Sequence, residues 1–236
     1  MLLLNLLPSA VFSQTETADQ RAVELRGTVT PERAWWDLQR YDLKIEVDPE
    51  ARTIVGTNEM TFVPTSLGKR LQIDLQAPLK IEWVKAGERE LKFAREGNAY
   101  FVEFESDLNV GTVSAITVKY SGKPRVAKNP PWSGGVSWQK DKNGSHFIAT
   151  SCQGIGASVW WPNKDHGYDE PDEGMSIQIT VPEDLVAVSN GRLKKKLHDQ
   201  ENQTRTFLWE VTNPINNYGV NMNIGNYVSF SETFSG

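Results

Sequence analysis

The residue pattern points to an all-β fold, built from antiparallel strands in several sheets packed like a β-sandwich and with few or no helices. Three observations carry it. Apolar and polar residues alternate with period two from Tyr41 onward, and the apolar runs are short and end at Gly, Pro, Asn or Asp. No window of about a dozen residues shows a convincing period of 3.6.

The strands run in order along the chain. Tyr41, Leu43, Ile45 and Val47 alternate with charged residues until Asp48-Pro49, and Thr53 to Val63 resumes as a second strand. Leu71, Ile73 and Leu75 form the next run, and Leu79, Ile81 and Trp83 the one after. Leu91 and Phe93 lead into a Gly97-Asn98 turn answered by Tyr100, Val102 and Phe104, before Ile116, Val118 and Tyr120. Ser121 to Gly135, rich in Pro and Gly in its later part, reads as the longest ordered loop. Asn143-Gly144 between Val136–Gln139 and His146–Thr150 is a strong hairpin signal. Ile177, Ile179 and Val181 end at Pro182, and Phe207, Trp209 and Val211 end at Asn213-Pro214. Trp83 and Trp209 fit the inward phase of their strands.

Three segments result: a signal peptide over 1–13, a flexible arm over 14–30 and the β domain over 31–236. The apolar opening Met1 to Ser13 is shorter than the ~20 residues that span a bilayer and has the length of a signal-peptide core, although no charged residue precedes it. Export, to a periplasmic or extracellular and bacterial setting, is the expectation. The single Cys152 excludes an intrachain disulfide. With 25 basic against 30 acidic residues and a net charge of −5, nothing favours nucleic acid as a partner. The basic run Arg192 to Lys196 reads as a solvated hairpin edge.

Chemistry is sparse. His146, His166 and His198 lie too far apart for two imidazoles on one helix face, so no zinc site is expected from them. Cys152 follows an apolar stretch and reads as a small buried hydrophobe. No G-x-S-x-G elbow, Walker A loop or dinucleotide fingerprint occurs. Asp165, Asp169, Glu170, Asp172 and Glu173 are dense enough for a hard cation, but Pro171 breaks the spacing, and a charged surface loop paired with Lys164 is the preferred reading. Trp35, Trp36, Trp132, Trp138, Trp160 and Trp161 offer an alternative function, the aromatic platform of an exported glycan-binding β-sandwich module.

Five segments in order carry a family resemblance. They are Tyr41-Asp42-Leu43; Gly56-Thr57; Ser151-Cys152-Gln153-Gly154; Pro182 through Leu185-Val186-Ala187-Val188-Ser189-Asn190-Gly191; and Pro214-Ile215-Asn216-Asn217-Tyr218 followed by Ile224-Gly225-Asn226-Tyr227, with Trp160-Trp161-Pro162 and Asp169-Glu170-Pro171 lying between the third and the fourth. Together, from about Tyr41 to Tyr227, they resemble the N-terminal β domain of the aminopeptidase N family of zinc exopeptidases. The resemblance implies a non-catalytic domain that covers the active-site cleft of a zinc aminopeptidase acting on peptides. The zinc and a C-terminal catalytic domain of the same chain are expected beyond Gly236, because the H-E-x-x-H signature is absent from these residues. The resemblance assigns one substrate-binding residue, Gln153, which helps hold the substrate's free α-amine. Ser151 stands where the family carries another glutamine. The loop between Pro162 and Pro171 is longer and more acidic than in the family, and no role is carried onto it.

Overall fold

The computed structural model describes residues 20–233. The leader over 1–13 and residues 14–19 of the arm lie outside the described residues. The remainder of the arm differs from a loose segment: residues 20–27 form a helix, α1. A single turn of helix, α2 (Pro31–Ala34), comes next with Pro31 at its start, where a missing N–H costs nothing.

The rest is strand: β1 (Trp36–Asp48), β2 (Thr53–Pro64), β3 (Arg70–Asp74), β4 (Lys80–Ala86), β5 (Arg89–Glu96), β6 (Ala99–Glu103), β7 (Ser114–Gly122), β8 (Gly135–Lys140), β9 (His146–Ser151), β10 (Met175–Pro182), β11 (Val186–Ser189), β12 (Arg192–Asp199), β13 (Thr204–Val211) and β14 (Met222–Gly225). They form a ten-stranded sheet in the order β12-β13-β10-β1-β2-β7-β4-β5-β6-β3 and a four-stranded sheet in the order β11-β14-β9-β8. The all-β expectation holds, with one correction to its antiparallel character. β10 lies parallel to β1, Leu43 opposite Ile177 and Ile45 opposite Ile179, so the large sheet is mixed. A parallel neighbour requires a crossover, and the intervening chain supplies one by building β8 and β9 of the small sheet.

Alternation sorts the side chains. Tyr41, Leu43, Ile45 and Val47 of β1 face the core, as do Ile54, Met60 and Phe62 of β2. A bulge between Leu38 and Arg40 inserts one residue, which brings Trp36 and Leu38 onto the same buried face as Tyr41. A second bulge between Ile81 and Trp83 corrects the reading of β4. Ile81 and Val84 are buried, whereas Trp83 is only half-buried, with the Lys85 ammonium 4.9 Å from its ring centroid. Trp209 packs on the core and donates its indole N–H to the Ala187 carbonyl at 3.1 Å.

The two edges of the large sheet are protected differently. Along β12 every residue is exposed, and Arg192, Lys194, Lys195 and Lys196 discourage pairing with another chain. At β3, the helical segments and an extended residue cover the edge instead. Gln72 donates to the Leu25 carbonyl of α1 at 2.9 Å, and Asp74 exchanges backbone hydrogen bonds with Asn163.

Candidate functional site

The hairpin β8–β9 delivers the chain to its most distinctive segment. Past Ser151, Cys152 is buried and Gln153 is exposed. The Cys152 carbonyl accepts from Ile155 N–H at 3.2 Å and Gly156 N–H at 2.8 Å, which places Gln153 and Gly154 at the tip of a tight turn. Gly154 has φ +79°, a backbone state that glycine adopts without steric cost. No hydrogen bond joins the Gln153 side-chain amide to any described residue, and it points from a turn whose backbone is held.

The next residues along the chain anchor this turn. A 3-10 turn, Ala157–Val159, leads to Trp160 and Trp161, both fully buried. The Trp161 ring meets Tyr41 edge-on at 4.9 Å between centroids. Asn58, buried on β2, donates to the Pro162 carbonyl at 2.9 Å. These contacts convert the Trp-Trp-Pro sequence into a core plug, leaving the residues on either side to form a surface cleft.

The acidic loop is not the wholly surface feature that its composition suggests. Lys164 and Asp169 form a buried ion pair, the Lys164 ammonium also donating to the Trp36 carbonyl at 2.6 Å and lying 3.9 Å from the Trp36 ring centroid. The expected pairing with Lys164 is present, but burial decides its character. It pushes the Lys164 ammonium down to about 8 against the pull of Asp169, and pushes the Asp169 carboxyl up. Asp165 accepts from Ala157 N–H at 3.2 Å, from Ser158 N–H at 3.1 Å and from the Ser158 hydroxyl at 2.6 Å. Asp172 and Glu173 are the exposed part.

A cleft of about 410 Å³ opens beside the turn, walled by Cys152–Gly154 with Gly156, by Asp165–Gly167 and by Asn216–Tyr218, with Arg26 of α1 at one side. Two of the five family-like segments, about sixty positions apart along the chain by their numbering, therefore meet at Gln153. Asn217 ties the walls together, donating to the Lys164 carbonyl at 2.6 Å. Reading the sequence missed Arg26 and Asn217 as parts of this architecture. Arg26 carries no local signal, whereas the Asn-Asn pair before Tyr218 lay inside a family-like segment.

The remaining candidates separate. His146 reaches Glu50 at 2.9 Å, His198 reaches Glu183 at 2.7 Å, and His166 Nδ1 accepts from Tyr168 N–H at 3.2 Å. Among the described residues no group of three or more His, Cys, Asp or Glu side chains converges to hold a metal ion, so these residues do not fit a zinc site. Cys152 is buried, and burial pushes its thiol up to about 12, away from the thiolate form that a nucleophile needs. Of the six tryptophans offered for an aromatic platform, Trp35, Trp36, Trp138, Trp160 and Trp161 are buried in the core and only Trp132 is exposed. No described helix is long and apolar enough to cross a membrane.

Comparison with known proteins agrees with this architecture. A zinc metallopeptidase of the M1 class from Deinococcus radiodurans has the same fold, with a TM-score of 0.70 and 18% identity over 86% of this chain and 45% of that one. A mutant of that enzyme bound to a Tyr-Ser-Ala substrate is likewise 18% identical with a TM-score of 0.70, over 86% of this chain and 45% of that one. A two-domain M1 zinc metallopeptidase mutant bound to L-arginine is 19% identical with a TM-score of 0.69, over 82% of this chain and 43% of that one. The chain thus spans less than half the length of the solved structures it matches. The family model described as the peptidase M1 N-terminal domain matches residues 38–218, most of the β domain, and the chain belongs to that family.

Proposed function

We propose that this chain is the non-catalytic N-terminal domain of a zinc-dependent aminopeptidase that removes N-terminal residues from peptides, and that Gln153 helps to hold the substrate's free α-amine. The observation that carries the reading is the place of Gln153, exposed at the tip of an anchored turn in a cleft where two family-like segments converge. An amide oxygen accepts a hydrogen bond from an ammonium and fixes its position without adding charge. Holding that group in one place orients the first peptide bond toward whatever performs the hydrolysis. The zinc belongs to a catalytic domain outside these residues, and the described residues present no ligand set of their own. We also propose, on the separate ground of the apolar run Met1 to Ser13, that residues 1–13 are an export leader cleaved after Ser13.

Steady-state kinetics of the full-length enzyme test the assignment. Gln153→Ala lowers kcat/KM by about 1–3 kcal/mol of transition-state stabilisation, the cost of an unpaired polar partner, while zinc content and melting temperature stay unchanged. Unaltered kinetics remove Gln153 from the site. The chain of residues 14–236 alone hydrolyses no aminoacyl-anilide, and turnover by it would overturn the division of labour. Amino-terminal sequencing of the secreted protein checks the leader.

A further inference from the structure

We propose that Arg26, on the helix that precedes the family-matched residues, is a positioning residue for Gln153. The inference rests on the proposed role of Gln153 in binding the α-amine. It begins with the geometry of the turn: the Cys152 carbonyl closes the turn from inside, while the two carbonyls beyond the tip, those of Gly154 and Ile155, face outward and are held by other parts of the chain. Gln76, just beyond β3, donates to the Ile155 carbonyl at 2.5 Å. Arg26 donates its guanidinium to the Gly154 carbonyl, across 128 positions of sequence.

That second contact matters because of what Gly154 lacks. A Cβ added there would meet nothing within 4 Å, so no packing confines the glycine, and its φ of +79° is one of several states open to it. Cys152 and Ile155 on either side of the tip pack on the core, so at Gly154 itself the hydrogen bond from Arg26 supplies the restraint that packing does not. The Arg26 bond removes freedom at the residue next to Gln153, and a side chain contributes to orientation only as far as its backbone is fixed.

Arg26 is in turn well placed to act as a fixed point. Leu25 is buried against Ala99 and Phe101, and its carbonyl accepts from Gln72. Arg21, about one turn earlier, bridges Glu96 at 3.0 Å and Glu24 at 2.9 Å. Thr28 closes the helix end by donating its hydroxyl to the Glu24 carbonyl at 2.8 Å. Helix α1 is thereby fastened to the β3–β6 edge of the large sheet, and Arg26 reaches from it to the end of the small sheet. The family model matches residues 38–218, so this strap lies outside the family-matched part of the chain.

A double-mutant cycle in the full-length enzyme tests this, with an aminoacyl-anilide as substrate. Arg26→Ala lowers kcat/KM by about 3–10-fold, Arg26→Lys recovers most of the loss, and Arg26→Ala adds less than about 2-fold in the Gln153→Ala background. Amide hydrogen exchange over Cys152–Gly156 becomes faster in Arg26→Ala while exchange in β1 is unchanged. If Gln153→Ala impairs the enzyme but Arg26→Ala is silent, or the two losses multiply, the positioning role is overturned and the reading of Gln153 stands. If Gln153→Ala is itself silent, both fall together. Unchanged exchange at the turn overturns the proposal whatever the kinetics.

Discussion

Asp165 occupies the space that a side chain on Gly156 would need. A Cβ built on Gly156 would fall well inside van der Waals contact with Asp165 Oδ2, and the glycine has φ +86° and ψ 158°, a region open to glycine alone. The absence of a side chain lets the carboxylate approach and cap the N–H groups of Ala157 and Ser158. One glycine thus joins the Gln153 turn to the acidic loop.

Gly156→Ala breaks this arrangement twice, by backbone strain and by displacing the cap. A loss of about 2–3 kcal/mol in unfolding free energy is expected, measured by urea denaturation. The same variant in the full-length enzyme loosens the turn and raises KM. A variant as stable as the parent would show that the loop relocates without cost.

The Lys164–Asp169 pair gives a mutational prediction. Both groups are buried, so removing one leaves a charge without its partner. Lys164→Met costs about 3–5 kcal/mol, and Lys164→Met with Asp169→Leu recovers most of that loss. Denaturation of the three proteins at neutral pH decides it, and a double variant no better than the single one refutes the account.

The same lysine gives a pH dependence. Folded, Lys164 holds its proton only to about 8, against 10.5 for its ordinary value. Between those values the unfolded chain binds the extra proton, so this group makes the fold more stable as pH rises through the window. The stability difference between the parent and Lys164→Met therefore grows from pH 8 to 10.5. A difference that is flat or shrinking would contradict the burial argument.

Cys152 should be inert in the folded protein. Its thiol lies near 12 and only 5% of the residue is exposed, so at a pH of about 8.5 iodoacetamide leaves it unlabelled. In urea the thiol returns toward its ordinary range and is alkylated quickly. Rapid labelling under native conditions, followed by mass spectrometry, would show that the segment before Gln153 opens.

Much of this was legible in the residues. Period-two alternation is a local property, enforced by the pleat of each strand, and it located most strands, while the Asn143-Gly144 turn signal located the β8–β9 hairpin. The run Arg192 to Lys196 announced an edge, because a charged, unpaired strand is tolerated only there. Gln153 came from the resemblance of ordered segments, and the fold brought one of them, Asn216–Tyr218, to its side.

Local pattern was enough for the kind of element, and the resemblance of ordered segments supplied the family and the residue proposed for the site. Whatever depends on partners distant in sequence had to wait for the folded chain. The parallel pairing of β1 with β10 depends on where the crossover lands, which alternation does not encode. The burial of Lys164 depends on Trp36 and Asp169 closing round it, so a composition that reads as surface became core. Arg26 had no pattern at all around it, and it gained a place only when α1 settled on the sheet edge within reach of Gly154. Periodicity reports the face a residue presents; the chain's return to that face from far along the sequence sets what it touches.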